Sequence, residues 1–184
     1  MIFNFTKYEL QKIVPIRINS DSVFYAGNCP FQLNKKQEDD IRFFEINNIK
    51  MVVNLLPKEE IRMGSSDFYM NFFALKKITV DHFPITDRSV PKRGSIEHLS
   101  TLLSEISYRL VQKEKIFIHC HAGLGRTGLL SALILIKFGL NSKTAIEVVR
   151  NLRKGSIETT EQENFILNYL STKRHQNLYQ GFLL

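Results

Sequence analysis

The sequence is poor in cysteine, lacks tryptophan and contains no long uninterrupted apolar run. With only Cys29 and Cys120 it has no disulfide framework, which is typical of a reducing compartment. The longest strongly apolar run, Leu129 to Ile136, is much shorter than the roughly 20 residues that span a bilayer, so we predict no membrane span. The first residues lack the pattern of a secretion signal. We therefore predict a cytoplasmic protein, with a nuclear location as the alternative.

The chain is long enough for one hydrophobic core and short for two. It has 184 residues, 43% of them hydrophobic, including 14 Phe and 6 Tyr. The net charge of +7 comes from basic residues scattered along the chain. A massed basic segment would indicate nucleic acid or a membrane surface, whereas scattered charge favours an anionic substrate. We expect no stable binding to nucleic acid.

Strand and helix patterns alternate along the chain. Residues 116–118 are apolar at successive positions, as in a central strand that is covered on both faces. Apolar residues recur at three- and four-residue spacing over residues 95–111, which predicts a helix with one buried face. Such alternation predicts a single-domain α/β fold with a central, mostly parallel sheet flanked by helices. Residues 58–77 are ambiguous; the other predicted strands cover 22–26, 51–55 and 78–83, and the other predicted helices 35–46, 126–138, 142–152 and 160–171.

The segment from His119 to Gly128 lies between a predicted buried strand and a predicted apolar helix. A loop in this place directs several backbone N–H groups at one spot near a helix N-terminus, which makes an anion site. The residues predicted to line that site are His121, Ala122, Gly123, Leu124 and Gly125, and the two glycines allow a tight curl.

The same segment carries a nucleophile and a phosphate-binding cation. The helix dipole and a nearby guanidinium favour the thiolate form of Cys120. Arg126 follows in the first turn of the helix, and its planar fork matches two phosphate oxygens. Together with the backbone amides it stabilises charge on a transferring phosphoryl group without a metal or cofactor. Thr127 is predicted to donate a hydrogen bond to the sulfur.

Attack on a phosphate ester also requires a proton donor for the leaving oxygen. Asp87 is the best candidate, because it lies in a loop that Pro84 and Pro91 keep out of regular structure. The alternative is an ordinary turn aspartate.

The pattern His119, Cys120, five residues, Arg126 and Thr127, with the Asp87 loop upstream, resembles the protein tyrosine phosphatase superfamily. The short chain without tryptophan resembles its small atypical dual-specificity members. The resemblance implies the cysteine-phosphatase fold over residues 21–175, with an N-terminal extension over 1–20 and a C-terminal tail over 176–184. It also implies a phosphocysteine intermediate at the cysteine, phosphate binding by the arginine, and acid and then base catalysis by the aspartate.

Residues 155–163 resemble the segment that enters the last helix of several small family members. The resemblance implies that Gln162 helps to position water. A second interpretation remains open, since Thr159 to Gln162 also spells a capping box that starts a helix.

Several alternatives concern the same residues. Gly123 to Gly128 also matches a dinucleotide-binding fingerprint, with Glu147 as its acidic residue, but a helical pattern follows it. His119 is predicted to shape the loop and His121 to face the substrate; three consecutive residues do not converge on one metal ion, so no metal site is predicted. Cys29 is either a redox partner or a small apolar residue.

The substrate is the most open point. We expect a phosphoprotein carrying phosphotyrosine and also phosphoserine or phosphothreonine, because His121 and Leu124 stand where basic residues would favour polyanionic lipids or RNA. Phosphoinositides, RNA 5′-phosphates and a phosphate-binding adaptor without turnover remain the alternatives.

Overall fold

The computed structural model describes residues 13–31, 37–61 and 65–169, with the side chains of 65–67 left out. The predictions for residues 1–12, for the helix start at 35, for the helix end at 171 and for the tail at 176–184 lie outside the described residues. None of the helices in the described ranges is both long and apolar enough to cross a membrane. The strands are β1 Ile13–Arg17, β2 Val23–Asn28, β3 Ile49–Asn54, β4 Thr79–His82 and β5 Lys115–Cys120; the helices are α1 Gln37–Ile46, α2 Ser65–Leu75, α3 Ile96–Val111, α4 Gly125–Lys137, α5 Ser142–Leu152 and α6, residues 160–169.

The five strands form one sheet in the order β1-β2-β5-β3-β4. β1 is antiparallel to β2, and all other neighbours are parallel. The predicted α/β fold with a mostly parallel sheet is therefore confirmed. β5 lies in the middle of the sheet, and all of its residues after Lys115 are buried, as its continuous apolar pattern predicts.

Two elements were not predicted from the sequence. β1 lies in the segment interpreted as an N-terminal extension, and it pairs from Ile13 opposite Gly27 to Arg17 opposite Val23. Its buried Val14 and Ile16 alternate with exposed residues, but Pro15 hides this short pattern, and an edge strand tolerates proline. The ambiguous stretch 58–77 contains α2, whose all-round apolar sequence lacks a clear periodicity.

The two faces of the sheet carry different cores. Helices α3 to α6 cover one face with a mainly aliphatic cluster. Helices α1 and α2 cover the other face with aromatic rings, which accounts for much of the phenylalanine content. Edge-on ring contacts dominate this second cluster, an arrangement that the ring quadrupoles favour. Its buried aromatic members are Phe31, Phe44, Tyr69, Phe72, Phe73 and Phe117.

The carboxyl ends of β2, β3, β4 and β5 meet at one edge of the sheet. Backbone hydrogen bonds continue past the strand ends: Cys29 N–H donates to the His121 carbonyl, and Leu55 N–H donates to the His119 carbonyl, both at 3.0 Å. Ligands of open α/β sheets bind at this edge. The connections that leave these strands are therefore held at fixed points around the end of β5.

The aromatic cluster predicts a large difference between two residues of the same helix. Phe44 is 2% exposed and contacts five aromatic rings, whereas Ile46 is 53% exposed. We expect Phe44→Ala to lower the free energy of unfolding by about 3 to 5 kcal/mol, because it leaves a cavity among rigid rings. Ile46→Ala should change it by about 0.5 kcal/mol or less. Urea denaturation followed by circular dichroism measures both, and equal losses would contradict the described packing.

Candidate active site

The loop from His121 to Leu124 joins the end of the central strand to the start of α4. Cys120 is the last residue of β5 and is 2% exposed. The Gly123 N–H donates to Cys120 Sγ at 3.3 Å, so the loop curls back over the sulfur. The described residues after this loop are helical or irregular. They contain no further strand of the kind that the dinucleotide interpretation requires.

Two glycines permit this curl. Gly123 has φ 74°, and a Cβ atom on it would overlap the backbone of Gly27 on β2. A Cβ atom on Gly125 would overlap the Glu158 carboxylate and press on the Gln162 amide. The loop is therefore packed tightly on both sides, and only glycine fits at position 123, where the backbone conformation and the neighbouring backbone both exclude a side chain.

Arg126, in the first turn of α4, is 2% exposed and joins three parts of the chain. Its Nη1 donates to both carboxylate oxygens of Glu60, each at 2.8 Å, and to the Ile85 carbonyl at 3.1 Å. Its Nη2 forms an ion pair with Asp87 Oδ1 at 2.9 Å. The structure thus brings together the predicted arginine and the predicted acid.

Two buried polar atoms beside the loop have no hydrogen-bond partner among the described residues. They are Arg126 Nε and Thr127 Oγ1. The predicted hydrogen bond from Thr127 to the cysteine sulfur is thus not formed in this structure. Because burying an unpaired donor costs free energy, both atoms fit a site that takes an anionic ligand.

His119 is fully buried and links α2 to the loop. Its Nε2 lies 2.7 Å from the Tyr69 hydroxyl, and its Nδ1 lies 3.3 Å from the Cys120 carbonyl. Burial lowers the pKa of His119 to about 3, helped by the charge of Arg126 and opposed by the bond to Cys120. The ring is therefore neutral. Since a carbonyl only accepts, Nδ1 carries the proton and Nε2 accepts from Tyr69.

Arg153 contacts the loop from outside. Its Nη2 donates to the Ala122 carbonyl at 2.8 Å. Burial lowers the pKa of Arg153, and the nearby Cys120 opposes that shift. Arg153 thus holds the Ala122 carbonyl and restrains the backbone of the loop.

Gln162 is fully buried beside Gly125. Its Oε1 accepts from the Glu158 N–H at 2.9 Å, and its Nε2 donates to the Ser89 carbonyl at 3.1 Å. Thr159 Oγ1 accepts from the Gln162 N–H at 3.2 Å, which is one half of the predicted capping box. The other half is shifted by one residue, since the glutamine side chain reaches the N–H of Glu158.

Sequence reasoning missed Glu60, Tyr69 and Arg153. Glu60 and Tyr69 lie in the ambiguous stretch 58–77, and Arg153 ends α5. No local pattern distinguishes these residues from surface charges or core aromatics. The histidine that was predicted to face the substrate, His121, is exposed at the loop, and Leu124 is half-buried.

The chain is similar in sequence to known phosphatases. The family model described as "Polymorphic toxin system, DSP-PTPase phosphatase" matches residues 26–140. The chain is 32% identical to the PRL-1 phosphatase of Drosophila melanogaster over 133 residues, covering 71% of this chain and 70% of the relative. It is 39% identical to a probable protein tyrosine phosphatase type IVA A of Dictyostelium discoideum over 97 residues, covering 53% of this chain and 57% of the relative.

A solved structure shares the fold. The crystal structure of kinase associated phosphatase, with its catalytic site cysteine replaced by serine, superposes with a TM-score of 0.77 at 21% identity. The match covers 87% of this chain and 94% of that chain. At this identity the likeness shows a common fold.

The buried neutral His119 predicts a pH dependence of stability. Its pKa is about 3 in the folded protein against an ordinary value of 6.5, so only the unfolded chain takes up this proton between the two values. The free energy of unfolding should therefore fall as the pH drops from about 6.5 toward about 3. Urea denaturation across this range should show a shallower fall for His119→Gln. His121→Gln, at an exposed position, should keep the wild-type slope; equal slopes for wild type and His119→Gln would contradict the neutral buried ring.

Proposed function

The chain belongs to the dual-specificity protein tyrosine phosphatases, and we propose that it hydrolyses phosphotyrosine, and phosphoserine or phosphothreonine, in protein substrates through a phosphocysteine intermediate at Cys120. The observation that carries this proposal is that Arg126 holds Asp87 at the loop of Cys120. The proposed nucleophile, the proposed phosphate-binding cation and the proposed acid thus all lie at one edge of the sheet.

The reaction has two steps. The Cys120 thiolate attacks phosphorus, the S–P bond forms as the bond to the leaving oxygen breaks, and Asp87 gives its proton to that oxygen. Water then attacks phosphorus, Asp87 takes a proton from the water, and the S–P bond breaks. Inorganic phosphate leaves and the thiolate is restored. Gln162, beside the loop, is proposed to help position that water.

Arg126 supplies the main charge that stabilises the phosphoryl group. Its Nε and Nη2 lie on one edge of the guanidinium, which suits two phosphate oxygens. Glu60 and the Ile85 carbonyl occupy Nη1 and fix the plane of the guanidinium. Phosphate competes with Asp87 for Nη2, so its binding frees the acid beside the leaving group.

The remaining polar groups of the loop complete the cradle. We assign phosphate binding to the backbone N–H groups of residues 121–125, and sulfur stabilisation to Thr127, whose hydroxyl is buried at the loop. Among the described residues, no three His, Cys, Asp or Glu side chains are grouped as metal ligands. Metal-free catalysis stays a prediction, which activity in EDTA tests.

A phosphoprotein is the proposed substrate. His121 and Leu124 place no permanent charge beside the phosphate, whereas polyanionic lipids and RNA call for basic residues there. Turnover of phosphopeptides, a phosphoinositide in vesicles and a 5′-phosphorylated RNA separates these substrates. A reducing compartment, the cytoplasm or the nucleus, suits a working thiolate.

The nucleophile assignment predicts the outcome of one substitution. We expect Cys120→Ser to lower hydrolysis of p-nitrophenyl phosphate at least about 1,000-fold, because a serine hydroxyl is not ionised at neutral pH. EDTA and a reducing agent are present throughout. Cys29→Ser is the matched control and should keep wild-type activity, since the two cysteines form no disulfide with each other.

Substantial activity in Cys120→Ser would contradict the nucleophile assignment. An inactive wild type that still binds inorganic phosphate would favour the adaptor.

The acid assignment predicts a dependence on the leaving group. We expect Asp87→Asn to lower kcat about 100-fold or more for phenyl phosphate, whose leaving oxygen needs a proton. The loss should shrink steadily across aryl phosphates with more acidic phenols. The same loss with every aryl phosphate would remove Asp87 as the proton donor.

A further inference from the structure

The loop that carries Asp87 is tied to the segment that starts α6. Thr159 Oγ1 lies 3.2 Å from the Arg88 carbonyl, to which it donates, and Gln162 Nε2 donates to the Ser89 carbonyl at 3.1 Å. These are the two carbonyls that directly follow Asp87 in the chain. We call this pair of hydrogen bonds the acid-loop tether.

The tether acts on a tight turn. Ser89 N–H donates to the Thr86 carbonyl at 3.1 Å, so Asp87 and Arg88 are the two central residues of a four-residue turn. Arg88 has φ 57°, a left-handed conformation that costs free energy for a residue with a Cβ atom. Such a conformation persists where surrounding contacts hold it, and the tether supplies two of them.

The other end of the tether is anchored in the core. Gln162 is fully buried, and its Oε1 accepts from the Glu158 N–H at 2.9 Å, so its amide cannot rotate freely. Ile166, one turn further along α6, is fully buried in the aliphatic core. The same core therefore supports both the turn and the loop from His121 to Leu124, which we call the phosphate loop.

Asp87 itself has little packing to hold it. Its side chain is 61% exposed, and its ion pair is with Arg126. In the proposed reaction, phosphate takes Nη2 of that guanidinium, so the ion pair is given up when the acid is needed. The backbone of the turn is then what fixes the distance from the carboxyl to the leaving oxygen.

We propose that Thr159 is a positioning residue for the general acid: its hydroxyl, together with Gln162, fixes the turn that holds the Asp87 carboxyl over the phosphate loop. This inference rests on the proposed function, because it needs Asp87 to be the acid. A hydroxyl that only capped α6 would leave the chemistry unchanged. The two roles use different parts of the Thr159 hydroxyl. As a cap, its oxygen accepts from the Gln162 N–H, and in the tether, its proton is donated to the Arg88 carbonyl.

Thr159→Asp separates these roles. A carboxylate is a good N-cap and accepts from the Gln162 N–H, but it has no proton to donate to the Arg88 carbonyl. We expect kcat to fall about fivefold for phenyl phosphate, because one hydrogen bond that positions the acid is lost. For an aryl phosphate with a strongly acidic phenol the loss should be less than about twofold, because that leaving group needs little help from the acid. The urea midpoint should stay at or above the wild-type value.

Two control variants complete the set. Thr159→Ser keeps both the donor and the acceptor and should keep the wild-type dependence on the leaving group. Thr160→Val changes the exposed neighbouring threonine and should do the same. An equal loss of kcat for all leaving groups in Thr159→Asp, or no loss at all with a wild-type midpoint, would overturn the inference.

Asp87→Asn run beside this series keeps the two proposals apart. If the loss of kcat depends on the leaving group in Asp87→Asn but not in Thr159→Asp, only the positioning role of Thr159 is refuted. If that dependence is absent from Asp87→Asn, the acid assignment on which the tether rests is refuted.

Discussion

The active-site end of this protein depends on one buried cation, the guanidinium of Arg126. An arginine does not give up its proton, so its burial is tolerated only where acceptors surround it. Glu60, the Ile85 carbonyl and Asp87 provide them, from the segments that follow β3 and β4. Because these acceptors come from two separate segments of the chain, compensating the charge also assembles the site.

The order of the strands in the sheet brings these acceptors close to Arg126. β5 lies between β2 and β3, so its phosphate loop emerges at the centre of the carboxyl edge. The hydrogen bonds that run on past the strand ends hold the neighbouring connections against this loop. An aliphatic core packs against one face of the sheet and an aromatic core against the other, and this dense packing limits the movement of the strands. The loops therefore carry function on a rigid base, as precise catalysis requires.

Sequence could predict the parts of the site that are encoded locally. Cys120 and Arg126 flank one loop between a strand and a helix, and Asp87 stands in a loop marked by prolines, so spacing alone makes them candidates. Glu60 and Tyr69 could not be found in this way, because they reach the site through pairings with residues far along the chain. β1 was missed for a related reason, since five residues with a central proline give too short a pattern to predict an edge strand.

In the proposed mechanism, the shared Nη2 of Arg126 links the binding of phosphate to the release of Asp87. Two carboxylates, Glu60 and Asp87, already face this one cation. A phosphate dianion added at the same guanidinium would leave an excess of negative charge in a buried place, which is costly. Glu60 is held by two bonds to Nη1, so Asp87 is the group that gives way. In the proposed mechanism, one cation with too many anionic partners thus couples the binding of phosphate to the release of Asp87 from Nη2.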